Sequence, residues 1–375
     1  MKVIFTCGGT GGHIYPAIAV AKLLKSRRPD CEILFLGAQG GMECDLVRRE
    51  GFRLETLRIS GYERSLSPSA IVHNLKSAVY TQSSVRKAGK LIDGFRPDVI
   101  VGTGGYASYP ALKAGALRGV PTVVHESNAA PGLTTRLVEK DVSRVMVGCE
   151  ESRSAYSHPE RVCVVGTPVR EAFLYTERAQ ARAALGVDGR PLIVSFWGSL
   201  GAREMNKMIA DFFLLEKQAG YPWKHVHACG AYGWSWMPDF VREKGLELSG
   251  QNAVDMREFI FDMPQVMAAA DLVICRAGAA TLAEVAASGT PAIVIPSPNV
   301  AENHQEKNAR IPESRGAAVV LHESECSAKL LFETVQSVLN DGDRRASMRR
   351  AAQSLAVVDS AERIYQTVLE LSKAR

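Results

Sequence analysis

The chain has 375 residues, which is too long for one ordinary hydrophobic core and predicts two domains. Hydrophobic residues make up 46% and charged residues 23%, a balance typical of soluble globular proteins and not of disordered or fibrous ones. No run of about 18 apolar residues occurs, so we expect no membrane-spanning helix, and the short apolar stretch at the amino end does not fit a signal peptide.

The charge is uneven along the chain. Residues 1–163 carry 22 Lys and Arg against 15 Asp and Glu, a net charge of +7, whereas residues 164–375 carry a net charge of −2. A basic first half suits an anionic surface such as a membrane, a nucleic acid or a polyphosphate, and ordinary scatter explains it equally well. The eight cysteines lack the paired spacing of a zinc site, which is typical of reduced thiols in a cytosolic protein.

The first half alternates strand-like and helix-like segments. A helix is predicted from about Gly12 to Arg27 and another near Met42–Arg49. The strand-like segments are KVIFT, EILFL, DVIVG, TVVHE, RVMVG and VCVVG. Short apolar strands separated by amphipathic helices predict βαβ units and a parallel, doubly wound sheet.

The same pattern restarts after Arg190, with the strand PLIVSFWGS and the helix GAREMNKMIADFFLLEKQ. HVHAC, DLVICRAGAATLAEVAAS and PAIVIPS continue it. We therefore predict a first domain over residues 1–163 and a second doubly wound domain over residues 164–355, with a hinge in VVGTPVREAF. A final helix in residues 356–375 is predicted to pack back on the first domain.

Two glycine-rich loops follow strands of the first domain, GGTGGH at Gly8–His13 and VGTGGYASYP further on. Glycines allow the backbone to approach a ligand, and a helix N-terminus offers N–H groups to an anion. A dinucleotide site is disfavoured, because the spacing is not G-x-G-x-x-G and the second strand lacks a terminal acidic residue. Two such loops, followed by HESNAAPGL, predict a site for an extended polar ligand, the alternative being tight strand-to-helix turns.

Seven motifs occur in order: GGTGGHIYPAIAVA, GTGGYASYPAL, HESNAAPGLTTR, VVGTPVR, GSLGAREMN, CRAGAATLAEVAASGTPAIVIP and PNVAENHQEKNA. Together they resemble the MurG family of bacterial peptidoglycan N-acetylglucosaminyltransferases over nearly the whole chain. The resemblance implies an α/β fold of GT-B architecture, with two doubly wound, Rossmann-like parallel-sheet domains facing a cleft. It also implies inverting transfer of N-acetylglucosamine from UDP-N-acetylglucosamine to the muramyl 4-hydroxyl of lipid I (undecaprenyl-diphosphoryl-MurNAc-pentapeptide), which gives lipid II.

The resemblance places the donor in the second domain. Ala279, Ala280 and Thr281 would present helix-start N–H groups to the diphosphate. Glu284 would accept hydrogen bonds from the ribose, or close a capping box with Thr281. Arg276 would neutralise the diphosphate as UDP leaves. The remaining implied donor contacts are Arg170 at the domain junction, Ser199 at a helix start, the Ile260 backbone at the uracil, and Gln305. The family often has a second glutamine beside the last of these, and this chain has His304 there.

The acceptor side falls in the first domain. The implied substrate contacts are Thr10, Gly11, Gly12 and Asn128, and the implied acceptor loop contains Gly102, Gly104, Gly105 and Tyr106. An inverting transfer needs a base for the acceptor proton and positive charge at the departing diphosphate. The sequence leaves two bases open: His13, since an unperturbed imidazole has a pKa of about 6.5, and Glu126. His125 is expected to be structural.

No metal or other cofactor is expected from the sequence. The D-x-D sequence, Asp341-Gly342-Asp343, is interpreted as a polar turn between two helical stretches. His225 and His227 alternate on a strand with no third ligand near in sequence, which favours a structural role.

A lipid-linked acceptor would require contact with a membrane. Ile71, Leu75 and Val79 recur every four residues, and the cations Lys76, Arg86 and Lys87 lie close in sequence. An apolar stripe edged by cations suits an anionic lipid surface, although core packing also explains such a stripe. We expect a peripheral protein on the cytoplasmic face of the bacterial membrane, with cell-wall synthesis proteins as further partners and no nucleic acid.

Three other functions remain open on the sequence. A diacylglycerol glycosyltransferase would share the donor loop and differ in its acceptor. A UDP-N-acetylglucosamine 2-epimerase would share the two-domain plan without a lipid surface or an acceptor loop. A non-enzymatic nucleotide-sugar sensor would leave His13 and the second glycine loop without a role.

Overall fold

A computed structural model describes residues 1–62, 65, 67–247 and 254–373. The chain divides into two units, one formed by Met1–Val169 together with Asp359–Arg375 and the other by Arg170–Val358. Each unit contains one parallel β-sheet with helices around it, which confirms the predicted α/β fold class.

The first sheet has seven strands in the order β3-β2-β1-β4-β5-β6-β7. Its strands are β1 (Lys2–Thr6), β2 (Glu32–Ala38), β3 (Arg53–Leu57), β4 (Val99–Gly102), β5 (Thr122–Glu126), β6 (Arg144–Val147) and β7 (Val162–Val164). The helices of this unit are α1 (Gly11–Arg27), α2 (Glu43–Arg49), α3 (Pro68–Phe95), α4 (Ser108–Ala116), α5 (Leu133–Val138) and α16 (Ser360–Lys373), with 3₁₀ turns at Glu150–Ala155 and Pro159–Arg161.

Strand β1 is buried on both faces, as its continuous apolar sequence predicts. Ile4 pairs in register with Leu34 of β2 on one side and with Ile100 of β4 on the other. Val3 and Phe5 point into a core shared with α1, whereas Ile4 points to the opposite core. Because successive side chains of a strand point to opposite faces of the sheet, β1 contributes to the hydrophobic cores on both faces.

The last helix, α16, packs on the first unit. Its side chains Ile364, Tyr365 and Val368, which recur at helical spacing, are buried in the core that also contains Ile14 and Leu24 of α1. A helix at the end of the chain is therefore part of the unit formed by its beginning.

The second sheet has six strands in the order β10-β9-β8-β11-β12-β13. Its strands are β8 (Leu192–Phe196), β9 (Lys224–Ala228), β10 (Asp255–Arg257), β11 (Leu272–Cys275), β12 (Ala292–Val294) and β13 (Ala318–Val320). The helices of this unit are α6 (Ala172–Tyr175), α7 (Arg178–Ala184), α8 (Arg203–Gln218), α9 (Ala231–Trp234), α10 (Met237–Glu243), α11 (Met263–Ala269), α12 (Ala279–Ser288), α13 (His304–Ser314), α14 (Ala328–Leu339) and α15 (Gly342–Leu355), with a 3₁₀ turn at Ala301–Asn303.

In each sheet, the direction in which successive strands are added changes beside the strand that comes first in the chain. The chain runs outward from β1 to β3 and then returns to β4 on the other side of β1, and β8 and β11 repeat this arrangement. In open parallel sheets ligands bind outside the carboxyl ends of the strands at such a reversal. Ligand sites are therefore expected at the loops after β1 and β4, and at those after β8 and β11.

Candidate active site

The two glycine loops of the first unit meet because they follow neighbouring strands. The loop after β1 leads into α1, whose N-cap Thr10 is extended, so that Gly11 and Gly12 open the helix. The loop after β4 lies against it, and the Thr103 backbone N–H donates to the carbonyl oxygen of Thr6 at 3.0 Å. The structure thus brings the two predicted loops together at one edge of the sheet.

His13 is held between these loops. Its Nδ1 lies 3.0 Å from the carbonyl oxygen of Thr103, and the Thr103 hydroxyl donates to the carbonyl oxygen of His13 at 2.6 Å. Because a carbonyl oxygen only accepts, this contact favours the tautomer with its proton on Nδ1 and its basic lone pair on Nε2. Thr103, whose side chain makes half of this arrangement, was not singled out from the sequence.

The second loop needs glycine where it packs on His13. Gly104 has a φ of +94°, and a Cβ atom there would lie 2.7 Å from the Nδ1 atom of His13. Gly105 also has a positive φ, and Gly102 ends β4. The ring of Tyr106 follows and lies beside the backbone of Gly9 and Gly61. Close approach to the imidazole therefore accounts for Gly104, and the positive φ accounts for Gly105.

Glu126 is buried and already serves as an acceptor. Its Oε1 accepts from the backbone and side-chain nitrogens of Asn128 at 3.2 and 2.9 Å. Its Oε2 accepts from the backbone N–H of Gly132 at 2.9 Å and from the hydroxyl of Thr135 at 2.8 Å. A carboxylate occupied in this way orients Asn128 and fixes the loop before α5, and a transferred proton would break one of these bonds.

His125, the neighbouring residue, is fully buried on β5. Its Nε2 lies 2.7 Å from the carbonyl oxygen of Gly166, and burial lowers its pKa. It therefore stays neutral near pH 7 and ties β5 to the segment after β7, a structural position.

In the second unit, α12 starts directly at the loop after β11. Its N-cap is Gly278, which has no side chain to cap the helix, and Ala279, Ala280 and Thr281 form the first turn. Their N–H groups and the helix dipole make this end attractive to an anion. The capping-box alternative for Thr281 and Glu284 is wrong, because Thr281 lies inside the helix and the cap is Gly278.

Glu284 projects from α12 one turn further on. Burial raises the pKa of Glu284 to about 7, while the nearby guanidinium of Arg170 acts in the opposite direction. Arg170 itself is exposed and lies 5.0 Å from the ring centroid of Phe173. A half-buried carboxylate with a raised pKa on the first turns of a helix that lacks a side-chain cap is typical of a ligand site.

Arg276 links β11 to this loop and is largely buried. Its Nη1 donates to the carbonyl oxygen of Ile295 at 3.1 Å, and its Nη2 lies 2.6 Å from Oε2 of Glu323. The guanidinium also lies 6.0 Å from the ring centroid of Trp197. Neither Glu323 nor Trp197 was singled out from the sequence, since no local pattern connects them with Arg276.

Gln305 connects the same loop to the segment after β12. Its Oε1 accepts from the backbone nitrogens of Ala277 at 3.2 Å and Ser297 at 2.9 Å. Asn308, one turn later on α13, donates to the carbonyl oxygen of Ala277 at 3.0 Å. The neighbouring His304 contacts the carbonyl oxygen of Ala301. Gln305 and Asn308 thus fix the approach to α12, and the role of Asn308 was missed from the sequence.

Ser199 and Ile260 lie on connected loops at the same edge of the second sheet. The Ala231 backbone donates to the carbonyl oxygen of Ser199 at 3.0 Å, and Gly230 donates to that of Glu258 at 3.1 Å, two residues before Ile260. Ile260 is buried. The prediction that Ser199 starts a helix is wrong, because Gly201 turns with a positive φ and α8 begins only at Arg203.

The histidine pair on β9 belongs to a buried hydrogen-bond network. Ser195 Oγ lies 2.7 Å from both His225 Nε2 and His227 Nδ1, and His225 Nδ1 lies 2.8 Å from Glu216. Burial lowers the pKa of His227 well below its usual value, which keeps it neutral. Within the described residues, no group of three or more His, Cys, Asp or Glu side chains is placed to hold a metal ion.

The D-x-D sequence lies at the junction of α14 and α15, as predicted, but only Asp341 stands outside the helices. The Asp341 side chain accepts from the Arg344 backbone N–H at 2.8 Å and caps α15, so that Gly342 and Asp343 belong to the helix. An aspartate before a helix satisfies N–H groups that would otherwise lack a partner.

Helix α3 presents an apolar face to solvent. Ile71, Val72, Leu75 and Val79 are 51%, 51%, 65% and 67% exposed. The basic residues Lys76, Arg86 and Lys87 on the same helix are also exposed. The stripe is therefore not core in this unit. None of the described helices combines the length and the apolar character needed to span a bilayer.

Two family models match the chain. The glycosyltransferase family 28 N-terminal domain matches residues 3–147, and the glycosyltransferase family 28 C-terminal domain matches residues 192–364. The chain is 38% identical over 373 residues to a Thermoanaerobacter protein, and the alignment covers 99% of this chain and 100% of the relative. That relative is named UDP-N-acetylglucosamine–N-acetylmuramyl-(pentapeptide) pyrophosphoryl-undecaprenol N-acetylglucosamine transferase. A Listeria monocytogenes protein of the same name is 36% identical over 374 residues, with complete coverage of both chains.

Solved structures give a consistent comparison. The crystal structure of Acinetobacter baumannii MurG aligns with a TM-score of 0.74 and 26% identity, over 98% of this chain and 99% of that one. A UDP-N-acetylglucosamine 2-epimerase from Neisseria meningitidis aligns with a TM-score of 0.67 and 15% identity, over 99% and 100% of the two chains. The second likeness, at such low identity, concerns the fold alone.

Proposed function

The chain belongs to the MurG family of N-acetylglucosaminyltransferases, and on that premise we propose that it transfers N-acetylglucosamine from UDP-N-acetylglucosamine to the muramyl 4-hydroxyl of lipid I, giving lipid II. The observation that carries the proposal is the match over the full length to transferases of this name at 36–38% identity. The two glycine loops of the first unit and the uncovered N-terminus of α12 in the second unit support it.

We assign the donor to the second unit. The diphosphate would bind at the first turn of α12, where Ala279, Ala280 and Thr281 offer N–H groups and Gly278 leaves the end uncovered. Arg276 would supply the positive charge that the leaving UDP needs. Glu284, when ionised, would accept hydrogen bonds from the ribose hydroxyls.

The remaining donor contacts are proposals of the same kind. The side chains of Arg170, Ser199 and Gln305 and the backbone of Ile260 would complete the site. The amide of Gln305 already uses its oxygen on the protein backbone, which would direct its NH₂ group to the sugar hydroxyls.

We assign the acceptor to the two glycine loops, with Thr10, Gly11, Gly12, Asn128 and the loop from Gly102 to Tyr106 as its contacts. His13 is the better candidate base, because its tautomer leaves the basic lone pair on Nε2. Glu126 would act through Asn128, since both of its oxygens accept bonds within the protein. The proton of the 4-hydroxyl would pass to Nε2 as the oxygen attacks the anomeric carbon and the bond to UDP breaks.

We further propose that the exposed face of α3 docks on the cytoplasmic surface of the membrane. Four apolar side chains and neighbouring cations suit the boundary of an anionic bilayer. Such docking would bring the protein to an acceptor whose lipid stays in the membrane. Cell-wall synthesis proteins are further partners that would meet it there. We propose that the reaction needs no metal or other cofactor.

The alternatives are less well supported. The 2-epimerase likeness is one of fold, at 15% identity, whereas the transferases match at 36–38% over the whole chain. The diacylglycerol transferase and the sensor have no comparable observation in their favour.

The test is an assay with labelled UDP-N-acetylglucosamine and a lipid I analogue. We expect label to move to the lipid with release of UDP, and the same reaction with diacylglycerol to give no product. Epimerisation of the donor without transfer to lipid would contradict the proposal.

A further inference from the structure

Arg276 is held by three parts of the second unit that are distant in sequence. Its Nη1 donates to the carbonyl oxygen of Ile295, its Nη2 forms an ion pair with the carboxylate of Glu323, and the ring of Trp197 lies near the guanidinium. The Arg276 side chain is only 11% exposed and that of Glu323 only 22% exposed. Its orientation is therefore set by protein contacts.

We propose that Glu323 is a positioning residue for the transfer reaction: it holds the guanidinium of Arg276 in the orientation that stabilises the diphosphate as UDP departs. Glu323 lies in the loop between β13 and α14 and contacts Arg276. The inference rests on the proposed function, since it takes the diphosphate to bind at the start of α12, beside Arg276.

The first physical reason is geometric. A guanidinium fixed at both terminal nitrogens has lost its side-chain freedom before the donor arrives, so ligand binding does not have to order it. Ile295 alone would fix one nitrogen and leave the plane of the group able to rotate. Glu323 supplies the second fixed point.

The second reason is electrostatic. A largely buried guanidinium needs a counter-charge when no donor is bound, and Glu323 provides it. When the glycosidic bond breaks, the bonding electron pair stays with the diphosphate, which becomes more negative. An arginine that is already oriented stabilises this added charge without reorganising, so its effect falls mainly on kcat.

Two substitutions separate these contributions. Glu323→Ala removes the carboxylate, whereas Glu323→Gln keeps the size of the side chain and removes the charge. For Glu323→Ala we expect about a tenfold lower kcat, with KM for UDP-N-acetylglucosamine within about threefold of wild type. Because the contact with Arg276 is an ion pair, Glu323→Gln should lower kcat nearly as far as Glu323→Ala. Glu325→Ala, at an exposed position in the same loop, is the matched control and should match wild type.

A double-mutant cycle tests whether Glu323 acts through Arg276. In an Arg276→Ala background, Glu323→Ala should change kcat by less than about twofold, because the group that it positions is gone. The proposal is overturned by a wild-type kcat in Glu323→Ala, or by the full tenfold loss recurring in the Arg276→Ala background.

A binding measurement keeps this proposal separate from the proposed function. Free UDP carries the negative charge that the diphosphate gains when the glycosidic bond breaks. Calorimetry of UDP binding, without acceptor, should therefore show about tenfold weaker binding for Glu323→Ala and no change for Glu325→Ala. If the wild-type protein binds UDP but transfers no label to lipid I, the proposed function fails. The UDP affinities of wild type, Glu323→Ala and Glu325→Ala would still decide whether Glu323 positions Arg276.

Discussion

The Nδ1 atom of His13 lies 3.0 Å from the carbonyl oxygen of Thr103, in a loop ninety residues further along the chain. The threonine hydroxyl returns a hydrogen bond to the carbonyl oxygen of His13. One residue thus fixes both the backbone position and the tautomer of the histidine. The strand order makes this contact, because β1 and β4 are neighbours in the sheet.

Replacing His13 by Gln should lower kcat by about 10²- to 10³-fold, because a positioned base contributes on this order to proton transfer. UDP binding should be unchanged, since the donor is assigned to the other unit. The measurement is a pH profile of kcat at saturating donor, in which the fall in rate on the acidic side should disappear with the histidine.

Glu126→Gln is the comparison for that experiment. The substitution places an amide NH₂ among hydrogen-bond donors that bond to a carboxylate in the wild type. We therefore expect the free energy of unfolding to fall by about 2–3 kcal/mol. The acidic limb of the rate profile should remain. If that limb survives in His13→Gln and vanishes in Glu126→Gln, the assignment of the base is reversed.

Gly104→Ala should lower kcat by about a hundredfold, because the new Cβ would displace the imidazole and small displacements at a reacting group are costly. Gly119→Ala is the matched control: its φ of +67° imposes similar backbone strain, about 1–2 kcal/mol, in open space. Steady-state kinetics and denaturant unfolding of both variants separate the two effects. Equal losses of activity would mean that strain alone matters.

Glu284→Gln should stabilise the protein at pH 8 while weakening UDP binding. With a folded-state pKa of about 7, Glu284 is protonated in the folded protein and ionised in the unfolded chain between about pH 4.5 and 7. The wild-type carboxyl therefore lowers stability as pH rises through this window, and its full cost is present above pH 7. We expect a gain of roughly 1–2 kcal/mol at pH 8 that fades towards pH 5.

The same substitution tests ligand binding. UDP affinity of the wild type should rise between pH 6 and 8, as Glu284 ionises and becomes a better acceptor for the ribose. This pH dependence should be smaller in Glu284→Gln, in which only the terminal phosphate of UDP still titrates over this range. A variant that is no more stable than wild type at pH 8, measured by chemical unfolding, would contradict the raised pKa.

Leu75→Glu should weaken binding to anionic liposomes and spare UDP binding, because it places a negative charge on the exposed face of α3. Leu117→Glu is the matched control, since Leu117 is 67% exposed and lies outside α3. Liposome co-sedimentation should distinguish the two. Unchanged binding by folded Leu75→Glu would exclude this face as the membrane contact.

Much of the fold could be predicted because apolar strands and amphipathic helices have different periods. The fold class, the helix starting after Gly278 and the two glycine loops are all local patterns. The exposure of Leu75 was not predictable in this way. A spacing of four residues shows that apolar side chains share one face of a helix, but it does not show whether another part of the protein packs on that face. Ser199 was misplaced for a related reason: the motif marks a loop, and the helix starts only where the glycine turn ends.

The supporting contacts lie beyond local patterns. Glu323 reaches Arg276, and Thr103 reaches His13, only because separate strands end at one sheet edge. Glu126 was one of two candidate bases from its position at a strand end, and only the four hydrogen bonds to its oxygens favour a positioning role. Chemistry-bearing residues can be read from the sequence more readily than the residues that hold them.

Helix α3 is also bonded to the segment that supports Tyr106. His73 donates to the carbonyl oxygen of Gly61 at 3.1 Å, and the hydroxyls of Ser77 and Ser60 lie 2.7 Å apart. The ring of Tyr106 lies beside Gly61. With the outer face of α3 on a bilayer, the thickness of one helix, about 10 Å, would set the height of the acceptor loop above the lipid. The headgroup of a lipid-linked sugar would then meet the loop while its hydrocarbon chain stays in the membrane.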